Sequence, residues 1–195
     1  MADYEIKALT SETWDAFAAL AARHGGAGMG GCWCTWFHRE THAAPGSSSG
    51  TAEDSRDFKR GLVETGHAHA ALVFDGATAV GWAQYGSPAE LPGIAHRKEY
   101  LAGTDVLPDY RITCFFVDRS YRRRGVAAAA LDGAVALIAA AGGGLVEAYP
   151  QDTQGRKVSA SFLYSATRTM FEQAGSAYQR PKGKNHCMQK VVDPR

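Results

Sequence analysis

The sequence has almost no net charge. Its 21 Lys and Arg residues stand against 20 Asp and Glu, a formal balance of +1 over 195 residues. No bulk field therefore draws the chain to nucleic acid or to a membrane surface. What basic charge there is falls in two clumps, Arg119 to Arg124 and Arg180 to Lys190, which favours local binding of a small anion. Cysteine is scarce as well. Cys32, Cys34, Cys114 and Cys187 do not make a disulfide scaffold in a chain of this length. The longest apolar run, Val126 to Ala141, is too short for a membrane span and is interrupted by Asp132 and Gly133. The opening Met1-Ala2-Asp3-Tyr4-Glu5 is acidic where a secretory signal is basic and then apolar. These absences lead to the expectation of a soluble cytoplasmic protein, with neither nucleic acid nor membrane as partner.

What is present suffices for a core: 45% of the residues are apolar, and the length fits one domain over 1–195. Ile6 and Leu9 lead into Trp14, Phe17, Leu20 and Ala21, spaced as a helix, with Thr10 or Ser11 as its cap and Gly25 as its stop. Residues 43–55 are rich in Ala, Gly, Ser and Thr and read as a loop, and a helix is expected over about Asp54 to Thr65. The period then turns extended. Ala70 to Phe74 and Ala79 to Tyr85 flank Asp75-Gly76, a hairpin turn. A short helix is expected around Ala95 to Leu101 and a strand over Arg111 to Val117. A basic loop follows, then an alanine-rich helix over Val126 to Ala141. A strand over Leu145 to Tyr149, a helix over Thr167 to Ala174 and a strand over Cys187 to Val192 complete the pattern. This alternation predicts the α/β class with at least one parallel strand pair.

Two motifs imitate chemistry. Gly26-Ala27-Gly28-Met29-Gly30-Gly31 satisfies G-x-G-x-x-G, with Glu53 further on, but it follows a helix and runs into aromatic residues. A dinucleotide fingerprint must follow a strand and open a helix, so a flexible loop is the preferred reading. Cys32, Cys34, His38 and His42 would form a zinc tetrad if residues 35–42 were helical. The C-x-C spacing is tighter than the usual one, and small buried cysteines commonly pack as apolar residues, so no metal is assigned.

The informative segment is Phe115-Phe116-Val117-Asp118-Arg119-Ser120-Tyr121-Arg122-Arg123-Arg124-Gly125-Val126-Ala127. It is a strand end, a basic loop and the first turn of a long helix. The free N–H groups of that turn and the positive end of its dipole favour phosphate. Gly125 allows close approach of the backbone, and the arginines add charge. No Lys-Ser/Thr follows the glycine, so a nucleotide-triphosphate loop is excluded and a phosphate bound but not transferred fits better. A solvated basic loop before a core helix is the plainer alternative.

This run resembles motif A of the GNAT superfamily of acyl-CoA-dependent N-acyltransferases, R/Q-x-x-G-x-G/A. Arg122, Gly125 and Ala127 match it, and Val117 matches the preceding strand end. Phe171-Glu172-Gln173-Ala174-Gly175 is similar to the family's closing Y-x-x-x-G, and Trp33-Cys34 to an uncharacterised bacterial subgroup. The resemblance covers residues 67–192 well and 4–66 loosely. It implies a mixed, mostly antiparallel central sheet with a splayed parallel pair, Ile112–Val117 and Leu145–Tyr149, flanked by helices. Residues 67–192 would form the CoA-binding core and 1–66 the acceptor side of a single domain. Acetyl-CoA is then the cosubstrate. Its pantetheine would pair with the backbone at Phe115 and Val117. Its pyrophosphate would sit on the amides of Arg123, Arg124, Gly125, Val126, Ala127 and Ala128, beside Arg122. An N–H near Phe116 or Val117 would polarise the thioester carbonyl.

The implied reaction is acetyl transfer to the primary amine of a small molecule or amino acid, by direct attack in a ternary complex. No covalent cysteine is then needed, and Cys114 is assigned to the core. The alternatives are a protein N-terminal acetyltransferase and a non-catalytic CoA-binding regulatory module. Free amines are mostly charged near neutral pH, so a base is useful, and Glu147 matches a glutamate position of some members. The tyrosine usually proposed as the acid aligns with Phe171, which has no proton to give. Tyr164 would lie on the same side if the helix extended that far, but about 10 Å away. It stands as the remaining candidate for CoA contact or proton donation. For the acceptor pocket, Trp33, Trp36, Phe37, Trp82, Tyr85 and Tyr100 are candidates, at most half of them touching substrate, with Glu99 or Asp105 to attract an amine. Residues 86–110 are long for a connection and are expected to form a lid over that pocket. The acceptor's identity and the oligomeric state stay open, a homodimer being one option.

Overall fold

In β2 (His69–Asp75) alternate side chains enter two different cores. Ala71 and Val73 face one cluster, and Ala70, Leu72 and Phe74 face the other, as the two-residue period of a strand requires. The computed structural model describes residues 4–27, 31–40, 51–104, 106–155, 158, 163–183 and 185–195. Along the chain come β1 (Glu5–Ala8), α1 (Trp14–Arg23), α2 (Ala52–Glu64), β2 and β3 (Thr78–Gly86). Then follow α3 (Arg97–Ala102), β4 (Tyr110–Val117), α4 (Val126–Ala140) and β5 (Gly144–Ala148). The last elements are α5 (Arg168–Gln173), β6 (Ala177–Lys182) and β7 (Asn185–Val192). Among the described residues no helix is long and apolar enough to cross a membrane.

The strands form one seven-stranded sheet in the order β1-β2-β3-β4-β5-β7-β6. Every neighbouring pair is antiparallel except β4–β5. Helix α4 covers one face over β1 to β4, placing Ala130, Leu131, Ala134 and Ile138 against Ala71, Val73 and Val80. Helix α1 covers the other face, with Phe17 and Leu20 against Leu72 and Trp82. Each such large apolar side chain contributes about 1.5–3 kcal/mol when fully buried. The mixed, mostly antiparallel sheet with one parallel pair is the architecture that the sequence led us to expect.

Three local details differ from the sequence reading. The cap of α1 is Thr13, not Thr10 or Ser11. Its hydroxyl accepts from the Thr10 N–H at 2.8 Å and donates to the Ala8 carbonyl at 2.7 Å, which ties off the turn leaving β1. Helix α2 starts two residues before Asp54, because Thr51 and Asp54 form a reciprocal capping box. Strand β6 was not expected. It carries Pro181 and lacks apolar alternation, both tolerated because β6 is an edge strand paired only with β7.

The feature that positions the site is the parting of β4 from β5. Their parallel pairing holds only at Tyr110–Val146, Arg111–Glu147 and Ile112–Ala148. Beyond Ile112, β4 runs on to Val117 with its far edge turned away from any ladder to β5. On the opposite side, Gly81 of β3 is pressed on by α4. A Cβ there would stand 2.6 Å from Val126 Cγ1 and 2.9 Å from the Phe116 carbonyl. Glycine at this position lets the first turn of α4 dock beside the end of β4.

Candidate active site

A cavity of about 740 Å³ opens along the parted edge of β4 and reaches both faces of the sheet. On the α4 side it is bounded by the loop between β4 and α4. Asp118 caps a single 3₁₀ turn there, accepting from the Ser120 N–H at 3.0 Å and the Ser120 hydroxyl at 2.7 Å. The backbone then turns left-handed at Arg123 (φ 61°) and at Gly125 (φ 84°) before α4 begins. A Cβ on Gly125 would meet nothing within 4 Å, so the space in front of the α4 amides is open. Arg119, Arg122 and Arg123 line this end with exposed side chains, and among the described residues none of them forms an ion pair. Gly125, Val126, Ala127 and Ala128 line it too. Arg124 does not; its guanidinium lies over the Tyr121 ring. Unpaired cations, left-handed backbone turns and a helix N-terminus together make an anion cradle.

Strand alternation decides which amides reach the cavity. The Asp118 N–H donates to the Val80 carbonyl at 2.8 Å, so Phe116, two residues back, also turns its amide toward β3. The amides of Phe115 and Val117 therefore point to the parted edge, and that of Phe116 does not. Of the two expected for a carbonyl, only Val117 is suitably turned. The Phe115 N–H already donates to the Tyr164 carbonyl at 2.6 Å. The segment before α5 thus lies along the edge that β5 leaves.

On the α1 side the wall is aromatic. Trp36, Phe37, Trp82, Phe116 and Tyr164 line it, with Trp82 stacked on Phe116 at 4.8 Å. Three of the six aromatics proposed from the sequence are therefore present. Trp33 is buried against Trp14, Tyr85 stacks on His69, and Tyr100 packs edge-on to Tyr149. The thiols of Cys32, Cys34 and Cys114 complete this wall. Cys34 and Cys114 stand 2.7 Å apart at sulfur, and the Trp82 indole N–H donates to Cys34 at 3.2 Å. Burial, then the hydrogen bond with Cys114, pushes the Cys34 thiol well up. The bond to Cys34 and burial do the same to Cys32.

The structure separates the two expected catalytic residues. Tyr164 lines the cavity, in a turn rather than on α5, which starts only at Arg168. Burial raises its phenol. Phe171 is core, edge-on to Phe115 at 6.0 Å. Glu147 lies outside the cavity and is 0% exposed. Its carboxylate accepts from the Tyr149 hydroxyl at 2.7 Å and from Gln189 Nε2 at 2.9 Å, with Arg180 at 3.8 Å. Burial alone would raise this carboxyl, but hydrogen bonds from Cys187, Tyr149 and Gln189 outweigh it and hold it below the ordinary range.

The long connection over 86–110 covers that network instead of the cavity. None of its described residues lines the cavity. Tyr100 of α3 packs over the Arg111 guanidinium, which donates to the Leu91 carbonyl at 2.6 Å. Glu99 accepts from the Gly183 N–H, and Asp105 lies outside the described residues. The zinc tetrad does not assemble as drawn. Residues 36–38 form only a 3₁₀ turn, and His42 lies outside the described residues. His38 is engaged through both nitrogens, Nδ1 with the Glu90 carbonyl and Nε2 with Lys59 Nζ at 2.9 Å. Of the glycine run, 28–30 lie outside the described residues; Gly26 packs against Gly31 and the Trp33 indole.

Two groupings escaped the sequence reading. Lys59, buried and lowered to about 8 by desolvation, donates to Gln84 Oε1 at 2.7 Å behind the aromatic wall. His24 lines the cavity itself, its ring 5.1 Å from Phe116 and its Nε2 3.1 Å from Asp118 Oδ2. That close contact becomes an ion pair only when the imidazole is protonated, and its geometry falls short of a hydrogen bond. Burial opposes the Asp118 charge, but the hydrogen bonds from Ser120 and the close approach of His24 prevail and keep its carboxyl far below the usual range. The only signal in the sequence was a lone histidine at a helix end.

No protein-family model matches the chain, and no curated protein does. Solved structures do. The chain is similar to a mosquito arylalkylamine N-acetyltransferase-like protein, with TM-score 0.58 and 12% identity over 97% of this chain and 100% of that one. It is similar to a GNAT-family protein from Desulfovibrio desulfuricans, with TM-score 0.51 and 14% identity over 98% and 99% of the two chains. It is also similar to the PaiA N-acetyltransferase of Thermoplasma acidophilum in complex with coenzyme A, with TM-score 0.50 and 12% identity over 97% and 99%.

Proposed function

Because the chain folds as the GNAT acetyltransferases do, we propose that it moves an acetyl group from acetyl-CoA to the primary amine of a small molecule. The observation that carries this reading is one continuous cavity joining the anion cradle at α4 to the aromatic wall across the parted edge of β4. In this reading the amides of Arg123 to Ala128 hold the diphosphate, with Arg119 and Arg122 as counter-charges. Pantetheine lies along β4 on the Val117 side. The thioester carbonyl is polarised by a main-chain N–H of that edge, Val117 or, once Tyr164 releases it, Phe115. Holding both substrates in one cavity supplies proximity and makes direct attack sufficient.

The attacking amine must lose a proton. Glu147 cannot touch an amine in this cavity, because it is sealed beneath Tyr149 and Gln189. His24 is the one imidazole among the described residues lining the cavity, and Asp118 behind it stabilises the imidazolium that forms. We assign the base role to His24 with Asp118 as its orienting carboxylate. The leaving thiolate, of pKa about 8.5 by analogy with cysteine, needs no strong acid.

A second reading, a CoA-binding regulatory module without catalysis, is favoured by one observation: Phe171 fills the place of the usual donor and is packed into the core. Mixing the protein with acetyl-CoA and a set of primary amines separates the two. Free thiol released in step with N-acetylated amine supports the transferase. Stoichiometric acetyl-CoA binding with no amine-dependent thiol release supports the module.

A further inference from the structure

The aromatic wall also restricts what the acceptor can be. Resting on the acetyl-transfer reading above, we infer that the acceptor is a monoamine with an aromatic or otherwise apolar body and no second charged group.

Three observations carry this. The wall offers ring faces, Trp36, Phe37, Trp82, Phe116 and Tyr164, and the small apolar side chain of Ala27. Cys32, Cys34 and Tyr164 on this wall are neutral, since their surroundings hold all three in the protonated form. No Asp or Glu is among the described residues lining the cavity. A second ammonium, as on a polyamine, would lose its hydration there without gaining a carboxylate.

The same holds for the opposite sign. The arginines that line the cavity belong to the α4 cradle, where the diphosphate needs them. Lys59 stands behind the wall, committed to Gln84 and His38, and does not line it. Among the described residues, His24 is the one basic side chain on this wall, and it faces Asp118, whose Oδ2 also lies 3.5 Å from Arg23 Nη2. Among the described residues, the carboxylate of a free amino acid therefore finds no partner beside the aromatic rings. Exclusion of both charges is a specificity device, because an unpaired buried charge discriminates more sharply than an added apolar contact.

The test compares kcat/KM for 2-phenylethylamine, phenylalanine and spermidine, with acetyl-CoA binding measured separately by calorimetry. The first two share a ring and differ by one carboxylate; the third replaces the ring by further ammonium groups. 2-Phenylethylamine is expected to exceed both others by at least about tenfold. Equal or better use of phenylalanine or spermidine would overturn the inference and leave acetyl transfer standing. Bound acetyl-CoA with no thiol release for any amine would overturn acetyl transfer, and the inference with it. Cys32→Asp supplies an independent arm, since it places a carboxylate on the wall. In a variant that keeps its acetyl-CoA affinity, the preference for 2-phenylethylamine over spermidine should narrow at least about tenfold. An unchanged preference would show that this wall does not hold the acceptor.

Discussion

His24 Nε2 stands 3.1 Å from Asp118 Oδ2, which joins the end of α1 to the end of β4 on the wall of the cavity. In the proposed reaction His24 is the proton acceptor and Asp118 orients it. His24→Gln keeps the size of the side chain and removes its basicity. Turnover should fall about 100-fold near pH 7 and much less near pH 9.5, where free amine is plentiful. Initial rates across that range check it. An equal loss at both ends would assign His24 to structure.

Glu147→Gln should act on stability. The folded carboxyl lies below its ordinary pKa, so its contribution is present above the unfolded value and is lost as pH falls through the folded one. Removing the charge leaves Arg180 beside a neutral amide and should cost about 3 kcal/mol at neutral pH. Calorimetric melting should show the gap between wild type and variant closing as the solution is acidified below about pH 4. The variant's relative turnover should be the same at neutral and alkaline pH. A loss confined to neutral pH would restore Glu147 as the base.

Gly125→Val should weaken acetyl-CoA binding. Its φ of 84° disfavours a β-branched residue, and the side chain would project into the open space before the α4 amides. A rise in Kd of about tenfold or more, equivalent to about 1.4 kcal/mol, is expected by calorimetry. Unchanged affinity would remove the diphosphate from this loop.

Tyr164→Phe should leave turnover within a few fold of wild type. The contact by which Tyr164 meets β4 is its main-chain carbonyl on the Phe115 N–H, which the substitution retains. A general acid would cost about 10²–10⁴-fold instead. A drop of that size at saturating acetyl-CoA, with the fold intact, would make Tyr164 the acid.

The helices and strands that carry apolar periodicity were legible in the sequence because local spacing fixes which face is buried. Trp14, Phe17 and Leu20 sit in the α1 core, and Ala70 to Phe74 divides between both cores. The basic loop was legible because Arg122, Gly125 and Ala127 follow one another at fixed spacing at a strand–helix junction. Strand β6 was not, because an edge strand needs no alternation and tolerates Pro181. The surroundings of Glu147 were not, because they depend on β7, Tyr149 and the 86–110 connection meeting over β5. Nor was the His24–Asp118 pair. Its members are far apart in the chain, and only the docking of α1 on the sheet brings them together.

A crystal structure of the chain with CoA and an N-acetylated 2-arylethylamine would test the account most directly. The account predicts the diphosphate on the amides of Arg123 to Ala128, the pantetheine along the parted edge of β4 at Val117, and the aryl ring among Trp36, Phe37 and Trp82. CoA bound elsewhere, or an acceptor seated over Glu147 beneath the 86–110 connection, would contradict it.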